Sequence, residues 1–249
     1  MTAVVRSELL KIRTTRGWWA YLVVLVGLVG IGAAAEVGSR TLDERSGLDF
    51  QFALVDLIGI TSLLAIILGI TIVTSEFRHG TITPTLLATP GRERVLAGKA
   101  IAGVLVAILF AVLAILVVLV VASIYTSIDG GQLEFAHGDV AERAASNVLG
   151  VVLWLLMGVA IGSVVQSQVA ALVGSLVWLF LVETLLVGLF SLLDVDAVAE
   201  YLPFHALDGA DGTGGDNLLA YGPALAVTLG WIAVLGAAGV VRTSRRDIT

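Results

Sequence analysis

From Lys99 to Ile124 the chain reads KAIAGVLVAILFAVLAILVVLVVASI. After Lys99 no charged residue interrupts it. About 20 apolar residues in a helix cross the roughly 30 Å hydrocarbon core of a bilayer, so this run is a membrane span. Five further stretches reach or approach the same length: Gly17–Ala35, Phe52–Thr74, Ala145–Val165, Gln168–Leu193 and Tyr221–Val241. The expected fold is all-α: a polytopic membrane protein with six transmembrane helices in a single domain over 1–249.

The composition agrees. Of 249 residues 58% are hydrophobic and 14% charged, against about 25% charged in soluble domains. With no cysteine, disulfides and thiolate metal sites are excluded, and no metal site is expected.

Charge sorts by side. Arg6, Lys11, Arg13 and Arg16 precede the first span, Arg78, Arg92, Arg94 and Lys99 lie between the second and third, and Arg242, Arg245 and Arg246 follow the sixth. Those eleven of 14 basic residues mark the cytoplasmic side, leaving Arg40, Arg45 and Arg143 outside. Both termini are therefore expected in the cytoplasm. The first span ends in Ala33-Ala34-Ala35, as a cleavage site would, but its core of about 19 residues exceeds the 7–15 of a secretory signal. It reads as an uncleaved span. The expected location is multi-pass in a cell membrane, with a bacterial plasma membrane the expected one.

Residues 1–16 form an amphipathic pattern. Val5, Leu9 and Ile12 recur at helical spacing among Arg6, Lys11 and Arg13, suiting a helix in the lipid headgroup layer. Trp18, Trp19 and Tyr21 follow as interfacial anchors. Gln166-Ser167-Gln168 is a tight turn between the fourth and fifth spans. The outer loop 194–220 is long: its first part, with Tyr201-Leu202-Pro203-Phe204, turns back into the membrane edge as a short helix, and Gly209–Gly215 is a flexible turn.

The cytoplasmic loop 75–98 carries the most local signals. Gly80 stops the helix leaving the second span. Thr83-Pro84 reads as an N-cap followed by proline at the first helical position. Leu86 and Leu87 give the short helix an apolar surface, Thr89-Pro90 closes it, and another helix enters the third span at Lys99.

The opening Ser7–Arg16, the ordered set Glu76, Gly80-Thr81, Leu86-Leu87, Thr89-Pro90, Arg92, Arg94 and Gly98-Lys99, and Tyr201-Leu202-Pro203-Phe204 before the last span together resemble the type-2 ATP-binding-cassette (ABC) exporter permeases. The resemblance covers essentially the whole chain. It implies that Glu76, Arg78, Thr81, Thr83, Pro84, Leu86, Leu87, Arg92 and Arg94 belong to a region coupled to separate ATPase subunits. It also implies that the second and fifth spans line the route at the contact with a second permease chain. ATP and magnesium would sit on the partner ATPase; no cofactor and no nucleic acid is expected on this chain.

The absences point the same way. Gly91 to Gly98-Lys99-Ala100 is not a phosphate loop: its glycine spacing is too wide, and Ala100 cannot ligate magnesium. His79, His137 and His205 fall in separate loops, and no zinc-helix or nucleophile-elbow motif is present.

Glu183, alone in the fifth span, has three readings: a structural hydrogen-bonding group, a substrate contact, or a proton relay. With Thr61, Ser62 and Trp178 it makes up the candidate substrate pathway. Trp154, Trp178 and Trp231 lie near mid-span, which packing explains better than an amphiphile-contacting surface. Gly158 and Gly162 permit close helix approach, first within the chain and second in a dimer. The expected function is the permease of an ABC exporter moving an apolar or amphipathic cargo such as a drug, lipid or lipophilic peptide. Its rivals are a proton-coupled secondary transporter using Glu183, an intramembrane enzyme, and a non-transporting anchor or sensor.

Overall fold

A computed structural model describes residues 1–15, 17–88, 91–129, 138–212 and 218–244. Twelve α-helices order them: α1 (Thr2–Thr14), α2 (Gly17–Ser39), α3 (Leu48–Asp56), α4 (Thr61–Arg78), α5 (Ile82–Ala88), α6 (Arg92–Asp129), α7 (Gly138–Val165), α8 (Gln168–Val177), α9 (Glu183–Leu192), α10 (Asp196–Ala199), α11 (Pro203–Ala210) and α12 (Tyr221–Ser244). Six helical stretches are long and apolar enough to cross a membrane, so the protein is all-α and polytopic.

The spans outrun their apolar cores. The second begins at Leu48, four residues before Phe52, because α3 runs through a 3-10 turn at Leu57–Ile60 into α4. The third is one 38-residue helix, about 57 Å long at 1.5 Å per residue, and it starts at Arg92, ahead of Lys99. Both extensions mix polar with apolar residues, Asp49 and Gln51 beside the buried Phe50, and Arg92, Glu93 and Arg94 beside the buried Val95.

α4 and α7 form the centre. More than half of each is buried, whereas less than a quarter of α2, of the fifth span and of α12 is. Glycine sets the central contact. A Cβ on Gly158 would strike the Ile66 backbone, one on Gly162 the Ile70 backbone, and one on Gly69 the Leu155 carbonyl. Gly158 and Gly162 thus bring α7 against α4 within the chain, with Gly69 as the opposing small residue. Lipid tails give apolar helices no reason to associate, so such close backbone approach supplies the attraction.

The start of α6, the end of α7 and the end of α12 meet at one face. Arg92 donates to the Thr243 carbonyl, Arg242 Nη1 to the Val164 carbonyl at 2.5 Å, and Gln166 Nε2 to Thr243 Oγ1 at 3.0 Å. This is the basic end. At the opposite end Arg143 pairs with Asp56 through two bonds of 2.7 Å and lies over the Phe52 ring, 5.3 Å from its centroid.

Gly80 adopts φ +67° after the C-cap His79, as a helix-stopping glycine does. The loop helix begins at Ile82 rather than after Thr83, so Pro84 is its third residue. Proline fits there because the first turn has no intrahelical partners for its N–H groups. Thr89 and Pro90 lie outside the described residues, as do Arg16, His137, Arg245 and Arg246.

Candidate functional site

Two polar constellations stand out in an apolar bundle. The first lies at the basic end. α1 is amphipathic, as its pattern requires, but its one fully buried residue is Glu8. Glu8 points at α6, where Lys99 Nζ donates to its Oε2 at 2.9 Å, and Lys11 Nζ donates to its Oε1 at 2.6 Å. Glu76, at the last turn of α4, completes the square: its Oε1 lies 2.6 Å from Lys11 Nζ and 3.1 Å from Lys99 Nζ. Glu8, Glu76 and Lys99 are all less than 5% exposed. The loop helix approaches as well: the Thr85 hydroxyl, 3.0 Å from the Thr81 carbonyl, lies 3.4 Å from Glu76 Oε1, and the Thr81 N–H donates to the Glu76 carbonyl at 2.9 Å.

Two carboxylates and two ammoniums so placed balance in charge. Burial works against the Lys11 ammonium, but its hydrogen bonds to Glu76 and Glu8 outweigh it and hold its pKa above the ordinary lysine value. Buried pairs add little net stability over apolar packing, because desolvation offsets their attraction. Their effect is positional: α1, α4, α5 and α6 are held in one register.

Of the residues that the resemblance assigns to the coupling region, Glu76 faces inward at the end of α4. Arg78 remains exposed and donates to Gln168 Oε1 at 3.1 Å. Thr81 and Pro84 are exposed, Thr83 is half-buried, and Leu87 is 68% exposed. Arg94 is exposed, and Arg92 is turned toward the end of α12. The Leu86 side chain lies outside the described residues.

The second constellation surrounds Glu183. α8 passes into α9 through a single π-helical turn, Trp178–Val182. In a regular α-helix, side chains five residues apart point about 140° away from each other. The wider turn realigns them, and Trp178 Nε1 donates to Glu183 Oε2 at 3.0 Å. Glu183 Oε1 accepts the backbone N–H groups of Phe204 at 3.0 Å and His205 at 2.6 Å.

Those two N–H groups open α11. Its N-cap is Leu202, which has no acceptor, and Pro203 fills the first position. An N-cap side chain ordinarily accepts these bonds. Here a carboxylate from another span does, at the positive end of the helix dipole.

The outer segment therefore turns back into the bundle. The mid-span tryptophans hold it: Trp154 stacks on Phe204 at 5.5 Å and reaches Asp211 Oδ2 at 3.5 Å, and Trp231 Nε1 donates to the Tyr201 carbonyl at 3.0 Å. Beside α11 lies an apolar cavity of about 290 Å³, walled by Met157, Ser175, Trp178, Phe204, Trp231 and others. Thr61 and Ser62 do not line it. Thr61 is buried with its hydroxyl on the Ile58 carbonyl, and Ser62 is buried. The structure joins Trp178 and Glu183 directly and sets Thr61 and Ser62 apart, at the start of α4.

Asp208, on α11, is pushed up to about 7 by burial and by the nearby Asp211 and Glu183 carboxylates. A raised carboxyl pKa means that the folded protein holds the proton more tightly than the unfolded chain. Its contribution is complete below about pH 4 and is lost as pH rises through 7. Asp208→Asn is expected to raise the melting temperature by about 4 °C or more at pH 8 and to change it little at pH 5. This follows from about 2 kcal/mol after allowance for partial exposure. Thermal unfolding in detergent at the two pH values measures it. Equal effects at both would mean that Asp208 is ionised throughout.

No curated protein matches the sequence. A family model described as a protein of unknown function, DUF2705, matches residues 35–249, which leaves out α1 and most of α2 but takes in both polar constellations apart from Glu8 and Lys11. The chain belongs to the DUF2705 family.

Proposed function

We propose that this chain is the membrane permease subunit of an ATP-driven exporter, working with separate ABC ATPase subunits and a second permease chain. The observation that carries the reading is the ion cluster under the loop helix. The Thr85 hydroxyl of α5 lies 3.4 Å from Glu76, the Thr81 N–H before α5 donates to the Glu76 carbonyl, and Glu76 is bound through Lys11 and Lys99 to α1 and α6. A partner that moves α5 then moves three other helices with it. That is what converting ATP-driven closure of a soluble domain into alternating access requires. The positive-inside rule puts this end in the cytoplasm, where ATP is.

The cargo class follows from the cavity beside α11. Its polar groups are already engaged: Ser175 bonds to the Ala171 carbonyl, Trp178 to Glu183 and Trp231 to Tyr201. Such a wall suits an apolar or amphipathic molecule. Glu183 already accepts three N–H donors, which gives the proton-carrier reading no support.

Leu87 supplies the test, because among the described residues of α5 it is a large apolar side chain that is exposed. Burying a leucine against a partner contributes roughly 1.5–3 kcal/mol, reduced by association costs. Leu87→Asp is expected to weaken co-purification of the ATPase about tenfold and to abolish cargo-stimulated ATP hydrolysis, with membrane insertion unchanged. Unaltered co-purification and stimulation would reduce the loop to a connection.

A further inference from the structure

A cavity of about 350 Å³ opens beside the ion cluster, within the size range of ligand pockets. Residues of α1, the start of α2, α4 and the start of α8 wall it. Along α4 its lining runs from Arg78 to Leu68, ten positions and about 15 Å of helix at 1.5 Å per residue. Over that length the wall changes from charged to apolar. Tyr21 marks the change: its hydroxyl lies 3.4 Å from that of Thr71, one turn from Leu68. With α1 suited to the headgroup layer, the Arg78 end lies at the depth of lipid phosphates and the Leu68 end at that of acyl chains.

The charges on the wall do not cancel. The lining holds three cations, Lys11, Arg78 and Lys99, and two carboxylates, Glu8 and Glu76; with histidine neutral, one positive charge is in excess. Both carboxylates are buried and held by the two lysines. Arg78 is the cation left over. It is exposed, and among the described residues its guanidinium bonds to the neutral amide of Gln168 and to no carboxylate, using one donor of five. Lys11 is the second accessible cation: its side chain is 45% exposed, and Glu8 and Glu76 take two of its three N–H donors. The charged end of the cavity thus presents cations, with the acids buried beneath them.

We propose that this cavity binds a glycerophospholipid of single negative charge, with its phosphodiester on Arg78 beside Lys11 and its acyl chains leaving past Tyr21 and Leu68. One phosphodiester cancels the excess charge; a zwitterionic headgroup does not. Its two unbridged oxygens match the planar fork of a guanidinium, which can donate two parallel N–H bonds to them. The change of polarity along α4 selects a lipid over a soluble phosphate, because the apolar half of the cavity has nothing to offer a headgroup alone. This site is independent of the exporter reading.

Native mass spectrometry of the full chain in detergent tests it, with dioleoyl-phosphatidylglycerol and dioleoyl-phosphatidylcholine as probes of equal acyl chains and unequal charge. The anionic lipid is expected to bind about tenfold more tightly, the worth of one hydrogen bond to a charged group. Equal binding of the two by the wild-type chain would overturn the proposal. Arg78→Gln is expected to bring phosphatidylglycerol down to the phosphatidylcholine level, with the circular-dichroism melt unchanged because Arg78 is exposed. Arg13→Gln is the control: Arg13 is exposed on α1 but does not line the cavity, and its loss is expected to leave the preference in place. A preference that survives Arg78→Gln refutes the site. One that falls as far in Arg13→Gln refutes it as well, by making the attraction a diffuse property of the basic face. Glycerophosphoglycerol, the same headgroup without acyl chains, is expected to bind about tenfold more weakly or worse, since it forgoes the apolar wall. Binding as tight as the lipid's would make a free phosphodiester the ligand and end the lipid assignment.

Discussion

Lys99→Met is expected to leave little folded protein in detergent extracts. Methionine has nearly the length of lysine, so the change removes charge and donors with little loss of volume. Glu8 and Glu76 then face each other with only Lys11 between them, and Lys11 is half in solvent. Removing one partner from a buried ion pair costs about 3–5 kcal/mol, a large share of the 5–15 kcal/mol that holds most domains folded. The companion experiment separates charge from shape. Adding Glu8→Gln and Glu76→Gln to Lys99→Met removes the uncompensated charges, and buried ion networks are often replaced by neutral groups at little cost. The triple variant is expected to recover most of the wild-type melting temperature by fluorescence-detected size exclusion. A Lys99→Met protein that melts within a degree or two of wild type would mean that the four charges do not act as a unit.

Glu183→Ala is the second large effect. It strands three donors: the Phe204 and His205 backbone N–H groups and the Trp178 indole. Each buried donor left without a partner costs about 1–3 kcal/mol, so the loss is expected to be about 3 kcal/mol or more. It is local to the outer segment. Proteolysis between α9 and α12 is therefore expected to accelerate before the whole bundle melts. Glu183→Gln keeps one oxygen for the two backbone donors but sets an amide N–H₂ against the Trp178 indole N–H. It is expected to cost about 1 kcal/mol. Alanine and glutamine melting alike would mean that Glu183 does not hold α11. A glutamine variant with wild-type stability but altered transport selectivity would return Glu183 to a cargo contact.

The six-span all-α fold was legible because length and hydropathy decide it, and a 26-residue run from Lys99 to Ile124 has no soluble reading. Gly80 was legible for the same local reason: a left-handed turn after a helix leaves few alternatives. The small-residue pair Gly158 and Gly162 announced a close contact but not its partner. Gly69 becomes visible only when α4 and α7 are set side by side. The ion cluster was harder. Glu8, Glu76 and Lys99 each sit at the edge of an apolar or amphipathic run, where a charge is read as solvated or topogenic. Lys99 pairs with Glu76 across 23 positions and with Glu8 across 91, both beyond the window in which helical periodicity is read. A trace was present nonetheless, since Lys99 opens an otherwise uncharged run and Glu76 closes another. For Glu183 the signal was the defect at the other end of its bonds. Leucine before Pro203 is a poor N-cap, and a helix starting there needs an acceptor from elsewhere. The mid-span tryptophans belong to the same pattern, each with an N–H that an apolar span cannot satisfy by itself.

The distance along the chain between Glu8 and Lys99 sets an order of events during synthesis. The ribosome adds about 5–20 residues per second, so the 91 positions between them take on the order of 5–20 s to emerge. Through that interval the first helix cannot seat, because its inward carboxylate has no ammonium from the third span. It must wait in the hydrated headgroup layer while two spans insert without it. With Lys99 the last of the four charges to be made, the square can close only once the third helix has begun.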